Sequence, residues 1–337
     1  MTARPLRRAL TRTSTVAALT GLLALGLAAC GGEADEAAGA DSGTRTFAAD
    51  NGDVEIPVDP ERVVATGYAV PVLIESDADL VGVSEWSRGV PMMTDEDVAT
   101  YEGLEKVAGE TAAETNYEAI AGLDPDLIVI GVPQPALVDL DMDRLEDIAP
   151  VVVLGPAAPD SWRELNERQA DAAGASEGFE ASRSAYEERA AELEEKYADV
   201  LGDLRFGHVG AYGDVSAGSF HREYAGSWGT NIAGDIGVDY YGEPSEPGEG
   251  AAAVTEYPSI EELPEKLGDA DAITYTLGAD GKPAEAIAYV LEHRLWKNLP
   301  AVRAGHVFGL QHTEAATYTS ALRTLDSLDT ALEPLLG

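Results

Sequence analysis

The chain has 337 residues, of which 22 are Lys or Arg and 61 are Asp or Glu, a formal net charge of −39 at pH 7. So acidic a surface repels nucleic acid and anionic lipid headgroups, which excludes a nucleic-acid-binding role. The composition is 45% hydrophobic with a single cysteine, so a core has to form without an internal disulfide or a thiolate metal site.

Arg4, Arg7, Arg8 and Arg12 precede an uncharged apolar run from Val16 to Ala29. A bilayer span takes about 20 apolar residues; this shorter run fits the central region of a secretory signal. It ends Leu27-Ala28-Ala29-Cys30-Gly31, which resembles a bacterial lipoprotein signal. In such a signal, small residues admit the peptidase and the Cys thiolate is alkylated by lipid. Removal of residues 1–29 and lipid attachment at Cys30 are therefore expected, with the protein held on the extracytoplasmic face of the cell membrane. Residues 30–46 are small, acidic and Gly-rich, with too little apolar surface to fold. They read as a flexible tether reaching about 20–25 Å.

From Phe47 onward the pattern is that of a folded α/β protein. Asn51-Gly52 between Phe47 and Ile56 is a hairpin turn signal. Strands are read at Arg62–Gly67, Leu80–Val83, Asp126–Gly131 and Val151–Leu154. Between them lie helical segments at Pro71–Glu75, Tyr117–Leu123 (with Asn116 as N-cap) and Leu145–Ile148. Strands alternating with helices predict a parallel sheet. Ser161 to Leu201 carries no strand signal. Within it Tyr186, Ala190, Leu193 and Tyr197 recur at helical spacing along Phe179–Tyr197, predicting one long helix with a single apolar face. Alternation then resumes, with strands at Phe206–Tyr212, Ala272–Leu277 and His306–Leu310. A last helix, Tyr318–Leu336, carries a stripe of Leu322, Leu325, Leu328 and Leu332. The expected organisation is an N-terminal α/β lobe (47–160), an inter-lobe helical segment (161–203) and a C-terminal α/β lobe (204–337).

Several phrases, in order, resemble the substrate-binding lipoproteins of ABC importers for ferric siderophores, haem and cobalamin. They are Arg62-Val63-Val64-Ala65 after Pro60, Val81-Gly82-Val83-Ser84, Asn116 through Ile128 (NYEAIAGLDPDLI), Ile148-Ala149-Pro150-Val151, and Leu295 through Phe308 (LWKNLPAVRAGHVF). The resemblance spans about residues 55 to 336. It implies two Rossmann-like lobes with parallel sheets bridged by one long helix, and hence small closure on ligand. It also implies a monomer that takes up a ferric siderophore as transported ligand, has no permanently bound cofactor and delivers its cargo to an ABC permease. Cobalamin, haem or a bare metal ion stay open within that fold. A non-transport surface lipoprotein stays open outside it.

Enzyme signatures are missing from the sequence. There is no P-loop and no His-Glu-x-x-His; Gly213 to Gly218 misses a nucleophile elbow by one residue; His312-Thr313-Glu314 lacks the Cys pair of a deaminase. No catalytic residue and no metal ligand is assigned. His208 and His306 fall in strand patterns and are expected to pack. Ligands of open α/β sheets bind beyond the C-terminal ends of strands, which selects Tyr68, Trp86, Arg88, Arg222, Tyr224, Trp228, Tyr275 and His312 as candidate ligand contacts, with Pro133 and Gln134 nearby. Aromatic faces suit the flanks of a ferric siderophore, and Arg suits its iron-bound oxygens. The acidity of the chain favours a neutral or cationic ferric hydroxamate over a triply anionic catecholate. The resemblance further assigns Glu118 and Glu261 (Glu262 as alternate) to permease docking, one per lobe. Replacing Cys30 by Ser is expected to move the protein from the membrane fraction to the soluble fraction and to abolish radiolabelled palmitate incorporation. A Ser variant that stays in the membrane fraction would count against the anchor.

Overall fold

The computed structural model describes residues 43–337. The expected signal, Cys30 and the tether as far as Ser42 lie outside the described residues. The chain enters as a hairpin, β1 (Thr44–Ala49) and β2 (Gly52–Pro57). Thr44, Arg45 and Thr46, expected in the tether, are therefore strand residues paired with Pro57, Ile56 and Glu55. Gly52 turns the hairpin at φ +111°, a conformation open to glycine. The turn also docks: Asn51 donates to the Val151 carbonyl and accepts from the Val153 amide, both at 3.0 Å. It thereby covers what would be a bare sheet edge.

The first lobe alternates β3 (Val63–Gly67), α1 (Ala69–Glu75), β4 (Leu80–Ser84), α2 (Asp95–Gly103), β5 (Glu105–Ala108), α3 (Tyr117–Gly122), β6 (Leu127–Gly131), α4 (Met142–Glu146) and β7 (Val151–Val153). Its five strands are all parallel in the order β5-β4-β3-β6-β7. The winding direction reverses between β3 and β6, which opens a crevice at their C-terminal ends. β5 is absent from the sequence expectation because Glu-Lys-Val-Ala has no apolar run to mark it.

Two helices bridge the lobes, α5 (Trp162–Ala172) and α6 (Ser176–Leu201). The 26 residues of α6 extend about 39 Å. Its buried side chains, Phe179, Tyr186, Ala190, Leu193, Tyr197 and Leu201, keep the spacing expected of a one-sided helix.

The second lobe contains β8 (Arg205–Gly210), β9 (His221–Glu223), α7 (Asn231–Gly234), β10 (Asp239–Tyr240), β11 (Thr255–Glu256), α8 (Leu263–Leu267), β12 (Ala272–Thr276), α9 (Glu285–Glu292), α10 (Pro300–Ala304), β13 (Val307–Leu310) and α11 (Tyr318–Leu332). Its strands run β11-β9-β8-β12-β13, with β10 also beside β8. β8, β10, β12 and β13 are parallel, but β9 returns antiparallel to β8 and β11 antiparallel to β9. The second sheet is thus mixed where a parallel one was expected. The reason is chain length: a parallel crossover takes a dozen or more residues, and only residues 211–220 separate β8 from β9.

A continuous buried cluster joins Val63 and Leu73 of the first lobe, Trp162, Phe179 and Leu193 of the bridging helices, and Phe206 and Leu325 of the second lobe. Each lobe adds a smaller cluster of its own. α11 lies along α6, where Asp329 accepts from Tyr197 at 2.8 Å and pairs with Lys196 and Arg189. Among the described residues, no helix is long and apolar enough to cross a membrane.

Candidate functional site

The C-terminal ends of β3 and β6 are drawn together by glycine. Gly67 sits at φ +59°, and a Cβ on Gly131 would stand 2.3 Å from the Ala69 backbone nitrogen. This closeness lets the Tyr68 amide donate to the Gly131 carbonyl at 2.8 Å and sends the Tyr68 side chain out of the sheet toward the other lobe. After β4, the Trp86 amide donates to the Tyr101 hydroxyl at 2.8 Å. The indole then lies over Gly89, whose Cβ, if present, would be 2.0 Å from Nε1. Any other residue at 89 would displace Trp86. Ser87 is tied to Glu110 through its amide at 2.6 Å and through its hydroxyl.

From the second lobe, Trp228 projects from a loop that is held from below. Glu223 accepts from Ser227 Oγ at 2.6 Å and from the Gly229 amide at 3.2 Å, and faces His208 Nε2 at 3.2 Å. Burial pushes the Glu223 pKa up, but the hydrogen bond and charge of His208, with further help from His221 and Ser227, outweigh burial and hold the pKa at about 2. These neighbours favour the charged form of Glu223, whose hydrogen bonds to Ser227 and Gly229 fix the backbone on which Trp228 rides.

Tyr68 and Trp228 meet across the interlobe cleft as a stacked pair, 5.9 Å between centroids and 15° between planes. Trp86 packs edge-on to Tyr68 at 4.9 Å. The Arg88 guanidinium lies 4.0 Å over Trp86 and 4.8 Å over Tyr68. The stacked pair divides the cleft. On one side is an inner chamber of about 190 Å³, lined by Tyr68, Trp86, Arg88, Trp228, Tyr212, Glu75 and Glu314 among others. On the other is an outer chamber of about 870 Å³, lined by Tyr68, Trp228, Pro133, Gln134, Arg168 and the loops 155–159 and 249–251. Tyr212 donates to Glu314 Oε2 at 2.6 Å. Thr317 donates to Glu75 at 2.6 Å, linking the end of α1 to the start of α11.

Four of the eight candidate contacts, Tyr68, Trp86, Arg88 and Trp228, thus come together. The other four do not. Arg222 belongs to β9 and is fully buried; its guanidinium donates to the carbonyls of His208, Glu223 and Tyr241. Tyr224 is buried and donates to Glu256. Tyr275 stands on β12 beside Gly309, packed against the second lobe's own core. His312, at φ +60°, faces a separate groove with Gln311, Arg323 and Asp326. His208 is buried against Thr274 and Thr276, and His306 meets the Asp271 carbonyl at 3.1 Å. Among the described residues, no group of three or more His, Cys, Asp and Glu side chains is placed to hold a metal ion.

The sequence reading missed Tyr212, Glu314 and Glu75. The strand-end rule reaches Tyr212 once β8 is seen to stop at Gly210, and Glu314 lies only four residues beyond β13. Glu75 has no sequence signal, since it closes an otherwise apolar helix. Elsewhere, Glu118 stands in the first turn of α3, its side chain 90% exposed and 3.9 Å from Arg144. Glu261 is exposed, while Glu262 accepts from the Ser259 amide at 3.0 Å as part of a capping box. Glu262 is thus occupied locally and Glu261 is not.

The profile of the periplasmic binding protein family matches residues 63–222. The chain is similar to a siderophore periplasmic binding protein from the fuscachelin gene cluster of Thermobifida fusca, with 32% identity, a TM-score of 0.66, and coverage of 82% of this chain and 97% of the other. It is 29% identical over 300 residues to the iron(3+)-hydroxamate-binding protein FhuD of Bacillus subtilis, covering 85% of this chain and 86% of that one. Staphylococcus aureus SirA, solved with staphyloferrin B, shares the fold at 22% identity and a TM-score of 0.65, covering 86% of this chain and 99% of SirA.

Burial raises the Glu75 pKa from an ordinary 4.5 to about 8, and the Thr317 hydrogen bond only partly opposes the rise. Because the folded state holds this proton more tightly than the unfolded chain, stability is lost as pH climbs between about 4.5 and 8. Glu75→Gln removes that titration. Its Tm relative to wild type should rise by about 2–5 °C between pH 5 and pH 9. A difference in Tm that stays constant with pH would refute the assignment.

Proposed function

The chain belongs to the periplasmic binding protein family, and on that premise we propose that it captures a ferric siderophore of the hydroxamate type and passes it to an ABC permease from an extracytoplasmic, lipid-anchored position. The observation that carries this reading is the cleft itself. Aromatic side chains from both lobes, Tyr68 and Trp86 from one and Trp228 from the other, converge on a chambered space. Such a space suits a ligand that is bulky, apolar on its flanks and polar at its metal centre. The protein acts by binding alone, as its family does. The siderophore fills the coordination sphere of the iron, so no metal ligand is needed from the protein.

Charge favours hydroxamate. The outer chamber sets Arg168, already paired with Asp50 at 3.0 Å, against the exposed Glu164 and Glu249. A triply anionic catecholate would enter a field of its own sign, whereas a neutral or cationic ferric trihydroxamate would not. The hydroxamate-binding FhuD of Bacillus subtilis, similar along most of the chain, supports the same choice.

Trp86 and Trp228 line the chambers of the cleft, whereas Trp162 and Trp296 do not. A ferric trihydroxamate should therefore quench tryptophan fluorescence at sub-micromolar concentration, with much of the signal lost in Trp86→Phe and at least about ten-fold weaker binding of a ferric tricatecholate. A flat response to every ferric trihydroxamate would sink the proposal. Glu118 and Glu261, both exposed, fit a docking pair for basic residues of the permease. The double change Glu118→Lys, Glu261→Lys should abolish uptake while in vitro affinity stays within about two-fold. Undiminished uptake would remove the docking assignment.

A further inference from the structure

The two chambers differ in size and chemistry. About 870 Å³ lies within the range of ligand pockets, on the order of 300–1,000 Å³. About 190 Å³ falls below it and is the space of roughly six waters. A ferric trihydroxamate core fits only the outer chamber. The inner one has room for a flexible arm of the same molecule, passing the Tyr68–Trp228 pair that both chambers share.

The inner chamber offers carboxyl groups to an incoming arm. The faces of Trp86 and Tyr68 are already occupied by the Arg88 guanidinium, at 4.0 and 4.8 Å, so an arm has to be recognised by the chamber's carboxyls and not by these rings. Glu314 receives one hydrogen bond among the described residues, from Tyr212 to Oε2, which leaves Oε1 free to accept another. Glu75 faces the same space from the first lobe, held by Thr317. Resting on the siderophore reading above, we propose that the inner chamber selects a siderophore arm ending in a cationic nitrogen, a protonated amine or guanidinium, and that Glu314 is the residue that specifies it. Burial raises the pKa of both carboxyls, and a cation seated between them would reverse that rise, so its arrival favours their charged forms. The high negative charge of the whole chain also concentrates cations around the cleft.

The probes are the ferric complex of desferrioxamine B, a linear trihydroxamate with a free terminal amine, and the same complex with that amine acetylated. The ferric core is identical and only the charge of the arm changes. The mature protein should bind the amine form at least about ten-fold more tightly. In Glu314→Gln this preference should fall to about two-fold or less, and in Glu314→Asp, which keeps the charge, it should persist. Thermal melts of both variants report whether each is folded. Equal affinity of the wild type for the two probes would overturn this inference alone. So would an undiminished preference in Glu314→Gln. Failure of both probes to bind would overturn this inference, and failure of every other ferric trihydroxamate with them would overturn the siderophore reading as well.

Discussion

The lobes are held by a packed aromatic joint. Trp162 of α5 lies edge-on to Tyr318 of α11 at 4.9 Å and to Tyr186 of α6 at 6.3 Å, and Phe179 of α6 closes on Tyr318 at 5.6 Å. The Trp162 indole donates to Asn231 of α7 at 3.0 Å, and Arg163 beside it pairs with Asp235. These contacts place both bridging helices and the second lobe in one close-packed core, which cannot be sheared without losing contacts on every side. The inner chamber lies beside that joint, lined by Ala316, Thr317 and Ser320 around Tyr318. Arg323 of α11 reaches across to the carbonyls of Pro91 and Met93 in the first lobe, a second tie between the same bodies.

A rigid frame of this kind changes what the cleft can do. Binding draws on groups already in position, so little affinity is lost to ordering them. Trp86 is fixed by Gly89 and Tyr101, Trp228 by the ionised Glu223, and Tyr68 by the glycines at the ends of β3 and β6. The two chamber carboxyls contrast with Glu223. Beside Glu223 stand His208 and His221, whose charge and hydrogen bonding hold its pKa at about 2; Glu75 has no cationic neighbour of that kind, and burial raises its pKa to about 8. The same residue type serves as a structural anchor in one place and lines the chamber in the other, and the charge beside it makes the difference: histidines next to Glu223, Asp97 near Glu75.

Much of the fold was legible in the chain. The Asn51-Gly52 turn, the strand at Asp126–Gly131 and the long one-sided helix through Tyr186, Leu193 and Tyr197 each follow from local chemistry that tertiary packing reinforces. β9 was not legible. His-Arg-Glu carries no strand signal, and it pairs only because the connection from β8 is too short to cross the sheet. That one misreading placed Arg222 and Tyr224 in the cleft, when both are buried in the sheet and the packing next to it. β5 was missed because Glu105 and Lys106 leave it no apolar run, and the start of β1 because Thr44-Arg45-Thr46 is polar, although its partner β2 lies just across the Asn51-Gly52 turn.

The sequence by itself determined the class of fold, the order lobe, helix, lobe, the acidic character of the whole, and four of the cleft residues, because strand ends and aromatic loops are local features. Only the tertiary structure decided that Tyr68 and Trp228, 160 positions apart, stack and divide the cleft, that Glu75 and Glu314 face one small chamber, and that Arg222 does not reach it. Those outcomes depend on distances between separate elements. Such distances are set by how sheets and helices pack, and no single stretch of chain carries them.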